Sequence, residues 1–338
     1  MKVLVFQMKR IGDLVLTTPA LAALRQLGAR VTLVVDTPCA SLCPAIPNVD
    51  ELLVYSKKGS NRALWRRLRE RDWNVCLDYT ASDRSALMSW FSRTPRRITF
   101  AWARKRLLRR LAYHEFVESP VRLAHTCDHY LDLLHPLGVE RGSAAAPSLT
   151  LPDDAKKKTG DLLVAAGITG DYALIHPGTA RVEKYWLTSR WMAVIARLRE
   201  LKLAVVLTSG PDAFEQAHVA EIISEFAHQS VNQPPVISIA PPDLLAFAAL
   251  VERARIVVSC DTAAVHLASA FQKPQVALFG PTNPFHWRPR HEQAVVISAA
   301  QPETPLTTFT PKMKGAAMEK IPTVTVLKAV ESLLVDTK

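Results

Sequence analysis

The chain has 338 residues, 49% of them hydrophobic, and a formal net charge of +11, a length and composition that point to two domains with sizeable cores. No apolar run approaches the ~20 residues of a membrane span, and Lys9, Arg10 and Asp13 break up what a secretory signal would need, so the expected location is the cytoplasm. Five scattered cysteines without a CxxC pair argue against a disulfide framework and a structural zinc.

Residues 2–7 (KVLVFQ) read as a buried strand, 8–13 (MKRIGD) as a loop and 14–27 as a helix. Pro19 fits that helix's first turn, with Thr17 or Thr18 as cap and Gly28 as its end. Residues 30–35 form a second strand, so the chain opens as a doubly wound α/β sheet does. Further strands are expected at 51–54, 75–78 and 97–99, and helices at 61–71, 82–92 and 124–137. Neither GxGxxG nor the P-loop signature occurs, which excludes a standard nicotinamide-binding protein and a P-loop nucleotidase.

Residues 140–158, with Gly142, Pro147, Pro152 and a lysine run, read as a linker. A second α/β series follows. Strands are expected at 173–176, 203–208 and 235–239, with helices at 189–200 (capped by Thr188 or Ser189) and 243–254. Residues 256–280 then run strand end, polar turn (Asp261-Thr262), helix 263–271, a stop at Lys273-Pro274 and strand 275–279. A last strand at 294–298, an irregular segment 301–320 and an amphipathic helix 324–335 with Thr323 as cap complete the chain. The expected domains are 1–150 and 151–338, with the last helix free to pack back on the first.

Three loops at strand ends hold the candidate chemistry. Asp261 and Thr262 lie between a strand end and a helix start, where ligands bind in open α/β sheets and unpaired N–H groups suit a phosphate. Either residue serves as cap. His266, four residues after Thr262, shares a helix face with it, although an ordinary capped helix with a buried histidine has the same spacing. Lys184 lies in a loop with Gly178 and Thr179, where it suits a pyrophosphate as a point charge and Gly178 allows close backbone approach; an exposed loop lysine is the plainer alternative. Asp13 precedes a helix start and fits either a helix cap or a general base.

The charge is uneven. Residues 93–110 carry eight Lys or Arg and no acid, and 57–71 carry seven against Glu70, a pattern that attracts polyanions. His125 and His129 have metal-ligand spacing, but no further ligand cluster completes a site, so they read as a helix face. Trp65, Trp73, Trp90 and Trp102 read mostly as core or partial core.

Taken together and in order, RIGDLVLTTPAL, HPGTARVEKYW and SCDTAAVHLASAFQKPQVALFGPTNPFHWRP resemble glycosyltransferase family 9, the heptosyltransferases of lipopolysaccharide inner-core synthesis. The resemblance implies an α/β fold of GT-B type: two Rossmann-like, doubly wound domains facing across a cleft, the first for the acceptor and the second for the nucleotide-sugar. It also implies inverting, metal-independent transfer of heptose from an ADP-activated donor, with no cofactor. Asp13 matches the proposed catalytic base and Lys184 the lysine on the donor phosphates. Thr179 matches a small polar position beside it, and Asp261, Thr262 and His266 match the donor-binding motif. Glu215 matches the acidic residue on the nucleotide's ribose.

The chain departs from the family pattern in three places. Ala263 stands where the family usually has glycine, Trp186-Leu187 where it has tryptophan-proline, and 301–320 lacks the cysteines of many members. The basic clusters, with Arg62, Arg66, Arg67, Arg96 and Arg97, are expected to hold a phosphorylated, lipid-linked glycan at the anionic inner-membrane surface, making the enzyme cytoplasmic or peripheral. The rivals are another GT-B transferase, an epimerase and a polyanion-binding protein. Nucleic acid is not an expected partner, because it leaves Asp13, Lys184 and Asp261 without a shared purpose.

Overall fold

A computed structural model describes residues 1–142, 146–226 and 233–335. The chain divides into two units, Met1–Thr150 and Leu151–Lys338, each built on one six-stranded parallel sheet.

The first unit runs β1 (Lys2–Phe6), α1 (Ile11–Gln26), β2 (Arg30–Asp36), α2 (Thr37–Ala40), β3 (Glu51–Tyr55), α3 (Arg62–Leu68), β4 (Val75–Asp78), α4 (Asp83–Phe91), β5 (Arg96–Phe100), α5 (Leu107–Ala112), β6 (Glu115–Val117) and α6 (Thr126–Asp132). Its strand order is β3-β2-β1-β4-β5-β6. Val3, Leu4, Val5 and Phe6 are all fully buried, as expected for a central parallel strand covered on both faces.

Helix α1 begins three residues earlier than the sequence suggests, so Asp13 belongs to its first turn and Pro19 sits in its interior. The proline removes the N–H that would reach the Val15 carbonyl. The Thr18 hydroxyl donates to that carbonyl instead, at 2.7 Å, while the Thr17 hydroxyl donates to Asp13 O. The two threonines therefore repair the helix rather than cap it. Gly28, at φ +68°, ends it: Ala29 N–H reaches back to Leu24 O and Gly28 N–H to Arg25 O, the left-handed stop that glycine adopts without strain.

The second unit runs α7 (Asp153–Ala165), β7 (Tyr172–His176), α8 (Thr188–Glu200), β8 (Ala204–Thr208), α9 (Ala213–Ser224), β9 (Val236–Ile239), α10 (Leu244–Arg253), β10 (Ile256–Cys260), α11 (Ala263–Ala270), β11 (Gln275–Phe279), β12 (Ala294–Ser298) and α12 (Thr323–Val335). The strand order is β12-β11-β10-β7-β8-β9. Trp186 and Trp191 meet edge to face at 5.1 Å in its core, and Trp186 Nε1 donates to Ile321 O.

Several expectations change. Part of the expected linker is helix α7, with Leu149 and Leu151 buried just before it; residues 143–145 of that linker lie outside the described residues. Leu187, not Thr188 or Ser189, precedes α8, and no side chain caps it. The short edge strand β6 and helix α9 are additions to the sequence reading. The last helix sends Val326, Ala329, Val330 and Leu333 into the second unit's core, beside α8 and over β10 and β11. Trp90 and Trp102 are exposed, while Trp73 is buried. Among the described residues no helix is long and apolar enough to cross a membrane.

Candidate active site

In the first unit the strand order reverses between β1 and β4, the position at which open α/β sheets bind ligands. Asp13 stands there, in the first turn of α1 and half-buried. Its Oδ1 accepts a short hydrogen bond from the Tyr130 hydroxyl of α6. Lys9 lies over the Tyr130 ring, 5.1 Å from its centroid, and its Nζ is 3.4 Å from the phenol oxygen. Burial lowers the Lys9 ammonium from its ordinary value, opposed by Asp13 and Asp78. Burial, reinforced by Asp13, holds the Tyr130 phenol well above its usual range, so it stays a donor to the carboxylate. Asp13 also lies at the positive end of α1.

Asp78, at the end of β4, is fully buried. It accepts from the Thr80 and Ala81 N–H groups, each at 2.8 Å, and from the Tyr113 hydroxyl. Burial nevertheless raises its carboxyl above the ordinary value. Thr80 Oγ1 in turn accepts from Met8 N–H at 2.7 Å, pinning the loop that carries Lys9 to the end of β4. Lys9 and Tyr130 were not singled out by the sequence. Lys9 lies in the conspicuous MKRIGD loop, but Tyr130 is 117 residues from Asp13 and gives no local signal.

In the second unit the order reverses between β7 and β10. Lys184 ends a short 3-10 turn after β7, and its Nζ donates to Asp261 Oδ2 at 2.6 Å and approaches Asp261 O at 3.4 Å. It is thus a largely buried, paired lysine rather than an exposed loop residue. Thr262, not Asp261, caps α11: its Oγ1 accepts from Ala264 N–H at 3.2 Å. Ala263 opens the helix. His266, one turn on, is buried with its ring edge-on to Trp287 at 6.4 Å.

The β7 and β8 loops converge on Glu215. Its Oε2 accepts from Gly210 N–H at 2.7 Å. A Cβ at Gly210 would lie 2.7 Å from that same oxygen, and one at Gly178 would lie 3.0 Å from Glu215 Cγ. A side chain at either position would press on Glu215, so both glycines let the loops lie close around the carboxylate. Burial raises the Glu215 carboxyl, opposed by the Gly210 N–H and reinforced by Asp212. Thr179, also buried, accepts from Arg181 N–H at 3.2 Å. Gly178, Thr179, Lys184, Glu215, Asp261 and Thr262 thus share one end of one sheet.

The five basic candidates divide. Arg67 binds Glu51 at 2.7 Å and Asp72 at 2.8 Å, with its guanidinium 4.3 Å from the Trp73 ring centroid. Arg96 makes a two-pronged pair with Glu115, and Arg97 is buried, donating to Ala112 O and Thr94 O. In these three the guanidinium is engaged by partners within the first unit. Arg62 and Arg66 are exposed on α3. His125 caps α6 through Cys127 N–H, while His129 bonds Ser119 and stacks on Phe100 at 4.0 Å, so each ring has a structural role.

The model of glycosyltransferase family 9 (heptosyltransferase) matches residues 61–316. The chain is 25% identical to lipopolysaccharide heptosyltransferase 3 of Escherichia coli K12 over 339 aligned positions, covering 96% of this chain and 95% of the relative. The solved family 9 glycosyltransferase of Veillonella parvula superposes with a TM-score of 0.82 at 22% identity, covering 99% of this chain and 97% of the other. The E. coli ADP-heptose lipopolysaccharide heptosyltransferase II gives 0.81 at 21%, covering 100% and 99%. The architecture is the GT-B type, two doubly wound α/β units. This chain belongs to glycosyltransferase family 9, the heptosyltransferases, and is a transferase.

Proposed function

We propose that the protein transfers heptose from an ADP-activated donor to a phosphorylated lipopolysaccharide inner core, with inversion and without a metal. The observation that carries this reading is the Lys184–Asp261 pair beside the Thr262-capped start of α11. It fixes an ammonium beside the start of a helix, where first-turn N–H groups other than that of Ala264 face a diphosphate. In this reading Lys184 offsets the charge that grows on departing ADP, the role a divalent ion has in other transferases. Glu215 receives the ribose hydroxyls, Gly178 and Thr179 line the approach, and His266 completes the donor site.

Asp13 takes the proton from the acceptor hydroxyl as its oxygen attacks the anomeric carbon opposite ADP. Arg62 and Arg66 meet the phosphorylated acceptor, and the basic first unit rests on the anionic membrane surface. A thermal-shift panel of nucleotides and nucleotide-sugars tests the donor. A ligand that binds only the folded state raises the melting temperature by mass action. ADP and ADP-heptose are expected to stabilise the protein more than the corresponding uridine and guanosine compounds; equal or stronger stabilisation by a uridine diphosphate sugar contradicts the reading.

A further inference from the structure

Helix α5 has a single buried residue, Ala112, which packs with Ala86 of α4 and Tyr113. Leu107 and Leu111, four residues apart on one face, are 63% and 66% exposed. Leu108 is exposed beside them, as are Leu87 and Trp90 on the outer side of α4 and Trp102 just before α5. Arg109 ties these elements together: its Nε donates to Asp83 Oδ1 at 2.6 Å, and its guanidinium lies 6.0 Å from the Trp102 ring centroid. The α4–α5 surface thus carries exposed leucines and tryptophans. Arg93, Arg104, Lys105, Arg106 and Arg110 are all exposed, and no acid occurs between residues 93 and 110.

We propose that this α4–α5 face is a membrane-docking surface that inserts Leu107 and Leu111 into a bilayer rich in anionic lipid. The proposal rests on the transferase reading above and names the surface that would bring the enzyme to a lipid-linked acceptor. The basic rim supplies charge complementarity to acidic head groups, and the tryptophans suit the level where head groups meet acyl chains. Apolar side chains on a short basic helix are the composition of an interfacial anchor. A second copy is a poor occupant, because a two-fold contact would set one arginine rim against another. A nucleic acid would satisfy the charge and leave the leucines in water.

The test is co-sedimentation of the full chain with phosphatidylcholine vesicles, with and without phosphatidylglycerol. The wild type is expected to bind the phosphatidylglycerol vesicles and not the neutral ones. Leu107→Ser/Leu111→Ser should lower that partitioning about tenfold or more, in keeping with the apolar area withdrawn from the bilayer. Trp90→Phe/Trp102→Phe should remove most of the lipid-induced blue shift in fluorescence. Sedimentation of the leucine variant as wild type overturns the proposal. So does binding to neutral vesicles alone, or a wild-type dimer that this variant converts to monomer. Transfer to an acceptor stripped of its acyl chains separates the two ideas: the leucine variant should match the wild type there, and failure of the wild type itself would strike the transferase reading without touching the vesicle result.

Discussion

Lys184 Nζ donates to Asp261 Oδ2 at 2.6 Å, joining the loop after β7 to the loop after β10 across the point where the second sheet reverses its order. Both side chains are largely buried, and removing one member of a buried pair leaves the other uncompensated, at a cost of about 3 kcal/mol or more. Lys184→Ala is therefore expected to lower the melting temperature of the ligand-free protein and to weaken ADP binding. Lys184→Ala/Asp261→Ala should recover part of the stability but none of the affinity. Calorimetry of unfolding and of ADP binding separates the two effects, and unchanged ADP affinity in the single variant would remove Lys184 from the donor site.

Tyr130 is the structural partner of Asp13. A hydrogen bond to a charged group contributes ~1.5–3 kcal/mol, so Tyr130→Phe should reduce kcat roughly tenfold to a hundredfold if Asp13 is the base. ADP binding should be unaffected. A loss confined to KM would assign Tyr130 to acceptor binding instead.

Burial raises the Glu215 carboxyl, with the Gly210 N–H opposing. An acid raised in this way binds its proton more tightly folded than unfolded. Its contribution to stability is present below the unfolded carboxylate range and is lost as pH rises through the folded value. Glu215→Gln keeps an acceptor for Gly210 and removes the buried charge. It is expected to raise the melting temperature at neutral pH while weakening ADP binding. A thermal-shift titration with ADP reads both, and a fall in ligand-free melting temperature contradicts the electrostatic account.

Burial, aided at His129 by Lys9, pushes the His129 and His176 imidazoles down to about 4. Below about 6.5 the unfolded chain binds protons that these folded sites refuse. Stability should therefore be lost as pH falls from about 6.5 to about 4, by ~2 kcal/mol per histidine at about pH 5. Urea unfolding across this range tests it, and His176→Gln should flatten the dependence.

The sheets were legible because VLVF, VVLT and their equivalents are too continuously apolar for anything but covered parallel strands. That Asp261 or Thr262 caps α11, and that Lys184 and Asp261 belong to loops at strand ends, was legible; the choice of Thr262 needed the geometry. The start of α1 was not legible, because Pro19 normally marks a first turn and the repair by Thr17 and Thr18 depends on side-chain geometry. Arg67, Arg96 and Arg97 looked like free charge because their partners, Glu51, Asp72, Glu115 and the Ala112 carbonyl, come together through tertiary pairing. Tyr130 was hidden for the same reason.

Asp13→Asn tests the central claim most directly. Single-turnover transfer from ADP-heptose to an acyl-free acceptor, measured beside ADP affinity, is expected to fall by about 10²–10⁴, the range of general-base contributions, with ADP affinity kept within about twofold. Transfer at a near wild-type rate would contradict the assignment of Asp13 as the base.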